Sequence, residues 1–187
     1  MVLRLDARAW GDVPQVASLS DRARGGDVEL LTVAIDKPDD LNVILGQSHF
    51  IKTVEDIHEV LAGASPQLRF GIAFCESSGP RLVRRSGNDD ALVDLATRNA
   101  QAVGAGHSFV VFLREGYPVN VLNQLKQVPE VCTIYCATAN PVEVVIAESD
   151  LGRGVVGVID GSPPLAVETD GDVAERRQLL RTIGYKL

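Results

Sequence analysis

Val43-Ile44-Leu45-Gly46-Gln47-Ser48-His49 decides how this chain is read, because three aliphatic residues open through a glycine into an amide, a hydroxyl and an imidazole. A short apolar run bounded by turn formers reads as a buried strand. Its end delivers three polar groups to a sheet edge, where loops held by a rigid scaffold tend to carry chemistry. Gly104-Ala105-Gly106-His107-Ser108 reverses the order, with a histidine approached through glycines and followed by the apolar run 109–113. Of the three histidines, His49 and His107 occupy such strand ends and His58 does not.

The same apolar runs and turn formers continue on both sides. They predict strands over 28–35, 41–45, 69–75, 81–85, 107–113, 131–137, 142–147 and 155–159. A helix opens at Thr53 with Asp56 in capping-box spacing, and Val54, Ile57 and Leu61 form its apolar face. His58 falls beside that face and reads as a packed helix residue. A second helix spans 90–103, capped by Asp89 and closed by a left-handed Gly104, with Leu92, Leu95, Ala96 and Asn99 on one face. Pro118 begins a third over 119–127. The last, over 172–183, opens on Asp172 and Glu175 and turns Leu179, Leu180 and Ile183 inward. Strands that alternate with helices early and run together late predict an α/β chain, with one mixed β-sheet and helices on both faces.

Composition bounds the function. The chain has 187 residues, enough for one core, and 18 basic against 25 acidic residues give a formal charge of −7. No basic block is present, which argues against a nucleic-acid groove, whose affinity needs clustered positive charge. No apolar stretch reaches the 18 or more residues of a bilayer span. Cys75, Cys132 and Cys136 are odd in number and sit in strand-like runs, so they read as buried small apolar groups rather than a disulfide framework or metal ligands. With no leader-like start, the cytoplasm is the expected address. Residues 1–26 show no period and read as an N-terminal arm ahead of a domain over 27–187, with Trp10 as its docking residue.

Residues 40–60, Phe70-Gly71-Ile72-Ala73-Phe74-Cys75-Glu76, Cys136-Ala137-Thr138-Ala139-Asn140-Pro141-Val142-Glu143, and Gly152-Arg153-Gly154 through Asp160-Gly161 resemble the small α/β proteins called adenosine-specific kinases. The likeness covers about residues 28 to 187 and leaves the arm outside. It implies a single-domain three-layer (α/β/α) sandwich that is cytosolic, binds adenosine or AMP, and carries a phosphoryl group on a histidine. It leaves phosphate donor, acceptor and role open.

An adenosine or AMP site needs an amide for the adenine edge, polar groups for ribose and donors for phosphate. Gln47, Asn120, Asn123 and Asn140 are the amides; Asn120 and Asn123 share a helix face, and Asn140 is held extended by Pro141 beside Thr138. Gly46-Gln47-Ser48 and Gly104-Ala105-Gly106 are the turns whose N–H groups could approach an anion. Arg153, between two glycines, is a candidate phosphate clamp. The P-loop and protein-kinase signatures are absent, which favours a phosphohistidine over a direct γ-phosphate route. His49 is preferred as nucleophile, with Ser48 and Lys52 near it, and His107 is next. Glu76 is the candidate base. No metal site is assigned, and Mg2+ enters only with a nucleotide phosphate donor. Two classes follow: a phosphotransferase, or a non-catalytic AMP or adenosine sensor. Apolar strands and the arm suggest a homo-oligomer with sites near subunit boundaries, a trimer being one closed form.

Overall fold

The computed structural model describes residues 27–187; the arm over 1–26 and Trp10 lie outside the described residues. The elements run β1 (Glu29–Ala34), β2 (Asn42–Ser48), α1 (Thr53–Ala64), β3 (Arg69–Cys75), β4 (Val83–Gly87), α2 (Asp90–Val103), β5 (Ser108–Arg114), α3 (Pro118–Leu125), β6 (Val131–Thr138), β7 (Val142–Ser149), β8 (Gly152–Asp160) and α4 (Asp170–Thr182). The chain is therefore mixed α/β, but the single mixed sheet is corrected. Two sheets form, ordered β4-β3-β5-β2-β6 and β1-β7-β8, and every ladder in them is antiparallel.

The reason lies in where β5 and β2 insert. The unit β2-α1-β3 looks locally like a parallel crossover, and so does β5-α3-β6. In the sheet β5 separates β2 from β3, while β2 separates β5 from β6. Each crossover is split by an antiparallel strand, an arrangement that sequence spacing alone cannot distinguish from adjacent parallel strands.

Alternation along the central strands divides the core into two clusters. Ile44, Phe70, Ile72, Phe74, Phe109, Val111 and Leu113 point one way and meet Val54, Ile57 and Leu61 of α1 and Val121 and Leu125 of α3. Val43, Leu45, Ala73, Val110 and Phe112 point the other way and meet Leu92, Leu95, Ala96, Ala100 and Val103 of α2 together with Val142, Val144 and Ile146 of β7. α2 lies so close to β3 that a Cβ on Gly71 would sit 2.1 Å from the Leu92 carbonyl carbon.

Helix ends follow their caps. Asp89 accepts from Leu92 N at 3.2 Å, and Gly104 closes α2 at φ +60°. At α1 the expected cap is displaced by one residue: Lys52 holds the N-cap position without a side-chain cap bond. Thr53 Oγ1 instead donates to Phe50 O at 2.6 Å and is hydrogen-bonded with Ser48 Oγ at 2.8 Å, which ties the helix start to the end of β2. His58 packs as expected, edge-on to Phe70 with Nδ1 2.8 Å from Ser86 Oγ. Cys136 is buried, whereas Cys132 is exposed, against expectation.

α4 differs most from its sequence reading. Thr169 and Asp172 form its capping box, one turn ahead of the expected start, and none of its residues is buried. Leu179 and Ile183 are more than half exposed and Leu165, in the preceding segment, wholly so. The inward turn of this helix is thus corrected: the segment 161–169 carries it clear of the core. Among the described residues no helix is long and apolar enough to cross a membrane.

Candidate functional site

β2 and β5 pair so that Gln47 faces Ser108, which places His49 and His107 at the same end of the large sheet. His107 is held by its backbone on both sides. Its N–H donates to Cys75 O at 2.7 Å and its carbonyl accepts from Ser48 N at 3.0 Å. These bonds bind it between the ends of β3 and β2 while its φ is +62°, a left-handed conformation that costs a non-glycine residue on the order of 1 kcal/mol or more. The ring is fixed by stacking on Phe74, centroids 5.8 Å apart at 17°. Among the described residues neither ring nitrogen of His107 or His49 has a hydrogen-bond partner, so no second bond selects a tautomer.

His49 lies one residue past β2, exposed, with its N–H donating to Glu130 O at 3.1 Å. Ser48 is buried and its hydroxyl is hydrogen-bonded with Thr53 Oγ1. Lys52 is ion-paired to Asp56 and to the buried Glu130, and the bonds first to Asp56 and then to Glu130 hold its ammonium above the ordinary lysine range. Gln47 accepts from Tyr135 Oη at 2.8 Å. The expected Gly46 turn is corrected. Gly46 sits inside β2, where a Cβ would lie 2.3 Å from Phe109 Cζ and 2.7 Å from Thr133 O, so the glycine serves close packing rather than an anion.

Beside this end, a cavity of about 960 Å³ opens between the end of α2, the β3–β4 loop and the β7–β8 turn. It gathers Glu76, Gly104, Gly106 and Arg153 from the sequence candidates, with Ser77, Arg81, Gln101 and Glu148. Its charges are largely paired. Glu76 accepts from Leu82 N at 3.1 Å and from Arg84 at 3.2 Å, and the Leu82 bond, then Arg84, holds its carboxyl below the ordinary glutamate range. Arg153 donates to Glu148 at 2.9 Å and to Ala102 O at 3.2 Å. The Gly104 N–H is taken by Ala100 O at 2.9 Å, and Gly106 leaves no room for a Cβ against Ser77 Oγ. Neither histidine lines the cavity. The His107 ring sits with Phe74 on the α1 side of the sheet, and the cavity lies on the α2 side, so Gly106 and Cys75 form the wall between them.

Four sequence candidates lie elsewhere. Thr138 pairs with Val43, five residues before Ser48 and so roughly 16 Å along β2 from the histidines. There Thr138 Oγ1 accepts from Asn140 N at 3.0 Å and the Asn140 amide donates to Asp160 at 3.0 Å, closing a turn. Asn120 Oδ1 accepts from Tyr117 N at 3.0 Å as part of the α3 capping box. Asn123 is exposed on the same helix.

Sequence reasoning passed over Gln101, Arg81 and Glu130. Gln101, three residues before Gly104 on α2, puts a free amide at the cavity, and its distance from the helix C-cap was the available signal. Arg81, at φ +52° in the β3–β4 loop, carried none. Glu130 is buried and its carboxylate meets the Lys52 ammonium as an ion pair. Among the described residues no three His, Cys, Asp or Glu side chains are grouped to hold a metal ion.

With this geometry in hand, the likenesses to other proteins can be placed on it. A family model described as adenosine specific kinase matches residues 33–186. The crystal structure of the PH1918 protein from Pyrococcus horikoshii OT3 is similar at 46% identity with a TM-score of 0.83, covering 86% of this chain and 99% of that one. No curated protein matches the chain. Because the family model spans both sheets, the histidine-bearing strand ends and the cavity, the chain belongs to the adenosine-specific kinase family.

Proposed function

We propose that this chain binds adenosine or AMP at the His49–His107 end of its large sheet and transfers a phosphoryl group through a phosphohistidine. The observation that carries the reading is His107. It is a non-glycine residue kept in a left-handed backbone, with its ring braced on Phe74 and both nitrogens unengaged among the described residues. Strain of that kind persists only where surrounding bonds enforce it, and it collects at functional positions. This moves the preferred nucleophile from His49 to His107, whose placement is the more determined of the two.

In the step proposed, a neutral imidazole nitrogen attacks the phosphorus of a phosphate donor, an N–P bond forms, and the P–O bond to the leaving group breaks. The N–P bond then breaks as the acceptor hydroxyl attacks, and the hydroxyl proton passes to solvent or a nearby base. The cavity behind Gly106 is within the volume usual for small-molecule sites. Gln101 offers an amide for an adenine edge and Arg81 a cation for phosphate there; because Gly106 and Cys75 wall this cavity off from the His107 ring, a nucleotide held in it is bound without being the group that the imidazole attacks. No step is assigned to Mg2+. The working particle is read as a cytoplasmic homo-oligomer, built from the domain over 27–187.

A second reading, a sensor that holds AMP without turning it over, draws support from one feature. Glu76 and Glu148 are both ion-paired with arginines, which leaves no unengaged carboxylate among the described residues of the cavity to accept a hydroxyl proton. One experiment separates the two. Intact mass and acid-labile, base-stable phosphate are measured after incubation with ATP and either adenosine or AMP, in wild type, His107→Ala and His49→Ala. Phosphotransfer predicts a gain of one phosphate that disappears in His107→Ala alone. Saturable AMP binding with no mass gain in wild type selects the sensor.

A further inference from the structure

The cavity between α2 and the β7–β8 turn carries polar groups inside and apolar ones at its mouth, and β1 starts beside that mouth. Val28, Leu82 and Leu151 line it at 63%, 50% and 98% exposure, together with Pro80. Large aliphatic side chains gathered around one opening form a surface that an apolar group gains by covering. Glu29 pairs with Glu148, so the chain enters β1 next to Ala147, Glu148 and Ser149, which line the same cavity. Residues 1–26 therefore join the domain at the rim.

Their sequence offers what the mouth lacks. Trp10, the only tryptophan, is followed by Gly11 and Asp12. A tryptophan combines a large apolar body with one N–H that needs an acceptor. In the cavity Arg153 is held by Glu148, whereas Arg81 has no ion pair among the described residues and Gln101 keeps a free amide. Arg81 sits at φ +52°, a costly backbone that fixes where its side chain leaves the β3–β4 loop. An indole on Leu82 and Leu151, its N–H on the Gln101 carbonyl oxygen and the Asp12 carboxylate on Arg81 would satisfy these groups together. We infer that residues 1–26 seat Trp10-Gly11-Asp12 in the mouth of this chain's own cavity. Trp10 lies 18 residues before Val28, a span of up to roughly 60 Å when extended, so the whole mouth is within reach. The tether makes the encounter intramolecular, at an effective concentration on the order of millimolar. Residues 1–26 precede the family match, which opens at residue 33, so the contact belongs to this chain and not to the shared domain. It stands on the rim and the arm alone. Only its consequence, competition between the arm and a nucleotide for the cavity, rests on the function proposed above.

Because Trp10 is the sole tryptophan, its fluorescence in the full chain reads the contact directly. Acrylamide quenching is compared in wild type, Leu82→Ser/Leu151→Ser, Arg81→Asp and Asp12→Arg/Arg81→Asp, with folding checked by circular dichroism. Wild type is expected to emit at shorter wavelength than N-acetyltryptophanamide and to be quenched severalfold less. The rim variant and Arg81→Asp should each be quenched like the free compound, and the charge exchange should recover protection. Wild-type quenching at the level of the free compound overturns the inference. Protection that survives in the rim variant also overturns it, since the ring is then buried elsewhere, and an exchange that recovers nothing overturns the seat on Arg81. Mixing the rim variant with Trp10→Phe chains, whose rim is intact, should leave its quenching high; recovered protection would assign the arm to a neighbouring copy and overturn the contact within one chain. AMP binding separates the consequence from the contact. Trp10→Ser should tighten it about tenfold where the arm fills about nine-tenths of the cavities. Unchanged affinity, with Trp10 protected in wild type, removes the nucleotide from the cavity and keeps the arm there.

Discussion

The two ends of β2 are built from similar residues and do opposite things with them. At the Asn42 end, Asn42, Thr138, Asn140 and Asn120 have their polar atoms engaged by Gly116 O, Asp160 and the backbone of turns and caps. At the Ser48 end, His107 is held in a strained backbone with both ring nitrogens unengaged, His49 is exposed, and a cavity opens on the other side of Gly106. Polar residues that satisfy one another stabilise the fold and have nothing left to offer a ligand. Those whose backbone is fixed while the side chain stays unpaired are poised for one, which is why the second end carries the functional proposal.

The largest effect should come from the packing that both ends depend on. Gly71→Ala would drive a Cβ into the Leu92 backbone at 2.1 Å and cost about 3 kcal/mol or more, since no flexible side chain can yield there. Gly154→Ala, facing open space, should stay within about 0.5 kcal/mol of wild type. Chemical denaturation of the two variants checks the pair. Next come the engaged asparagines. Asn120→Ala and Asn140→Ala should each lower stability by about 1 kcal/mol through a lost cap or turn bond while leaving AMP affinity within twofold. A tenfold loss of affinity in either would break the contrast between the ends.

A smaller effect concerns acid. The folded-state pKa of Glu76 is depressed by Leu82 N–H and Arg84, so its contribution is present above the ordinary value of 4.5 and is lost as pH falls through the lower folded value. Glu76→Gln should therefore flatten the acid limb of the stability curve below about pH 4.5 and leave stability at pH 9 to 10 unchanged in its pH dependence. The smallest stability change is the most diagnostic. His107→Gly removes the left-handed strain and should leave stability unchanged or raise it by up to about 1 kcal/mol, in a thermal melt, while eliminating the acid-labile phosphate. A marked destabilisation would mean that the Phe74 stack, rather than chemistry, explains the residue.

Much of this was legible in local sequence. α2 was bounded at both ends because Asp89, the spacing of Leu92, Leu95, Ala96 and Asn99, and Gly104 all speak within one short window, and β3 was bounded by an uninterrupted apolar run. The pairing of His49 with His107 at one edge was only half legible, since each strand end could be read but not their adjacency. Asn120, Asn140 and Glu76 drew attention for their chemistry, and what they lack is written in partners 3, 20 and 8 residues away. α4 was placed but turned the wrong way, because its apolar residues implied a core that the segment before it does not reach.

By itself the sequence determined where strands and helices form, which faces of α1 and α2 are apolar, and the family to which the chain belongs, because periodicity, capping and motif content are local properties of ten to fifteen residues. Only the tertiary structure decided that the crossovers are split into two antiparallel sheets, that His107 is held left-handed against Phe74, that the cavity and the histidine ring lie on opposite faces, and that α4 stands uncovered among the described residues. Those outcomes depend on which distant groups satisfy one another's hydrogen bonds and apolar surface, and no short window of sequence contains both members of such a pair.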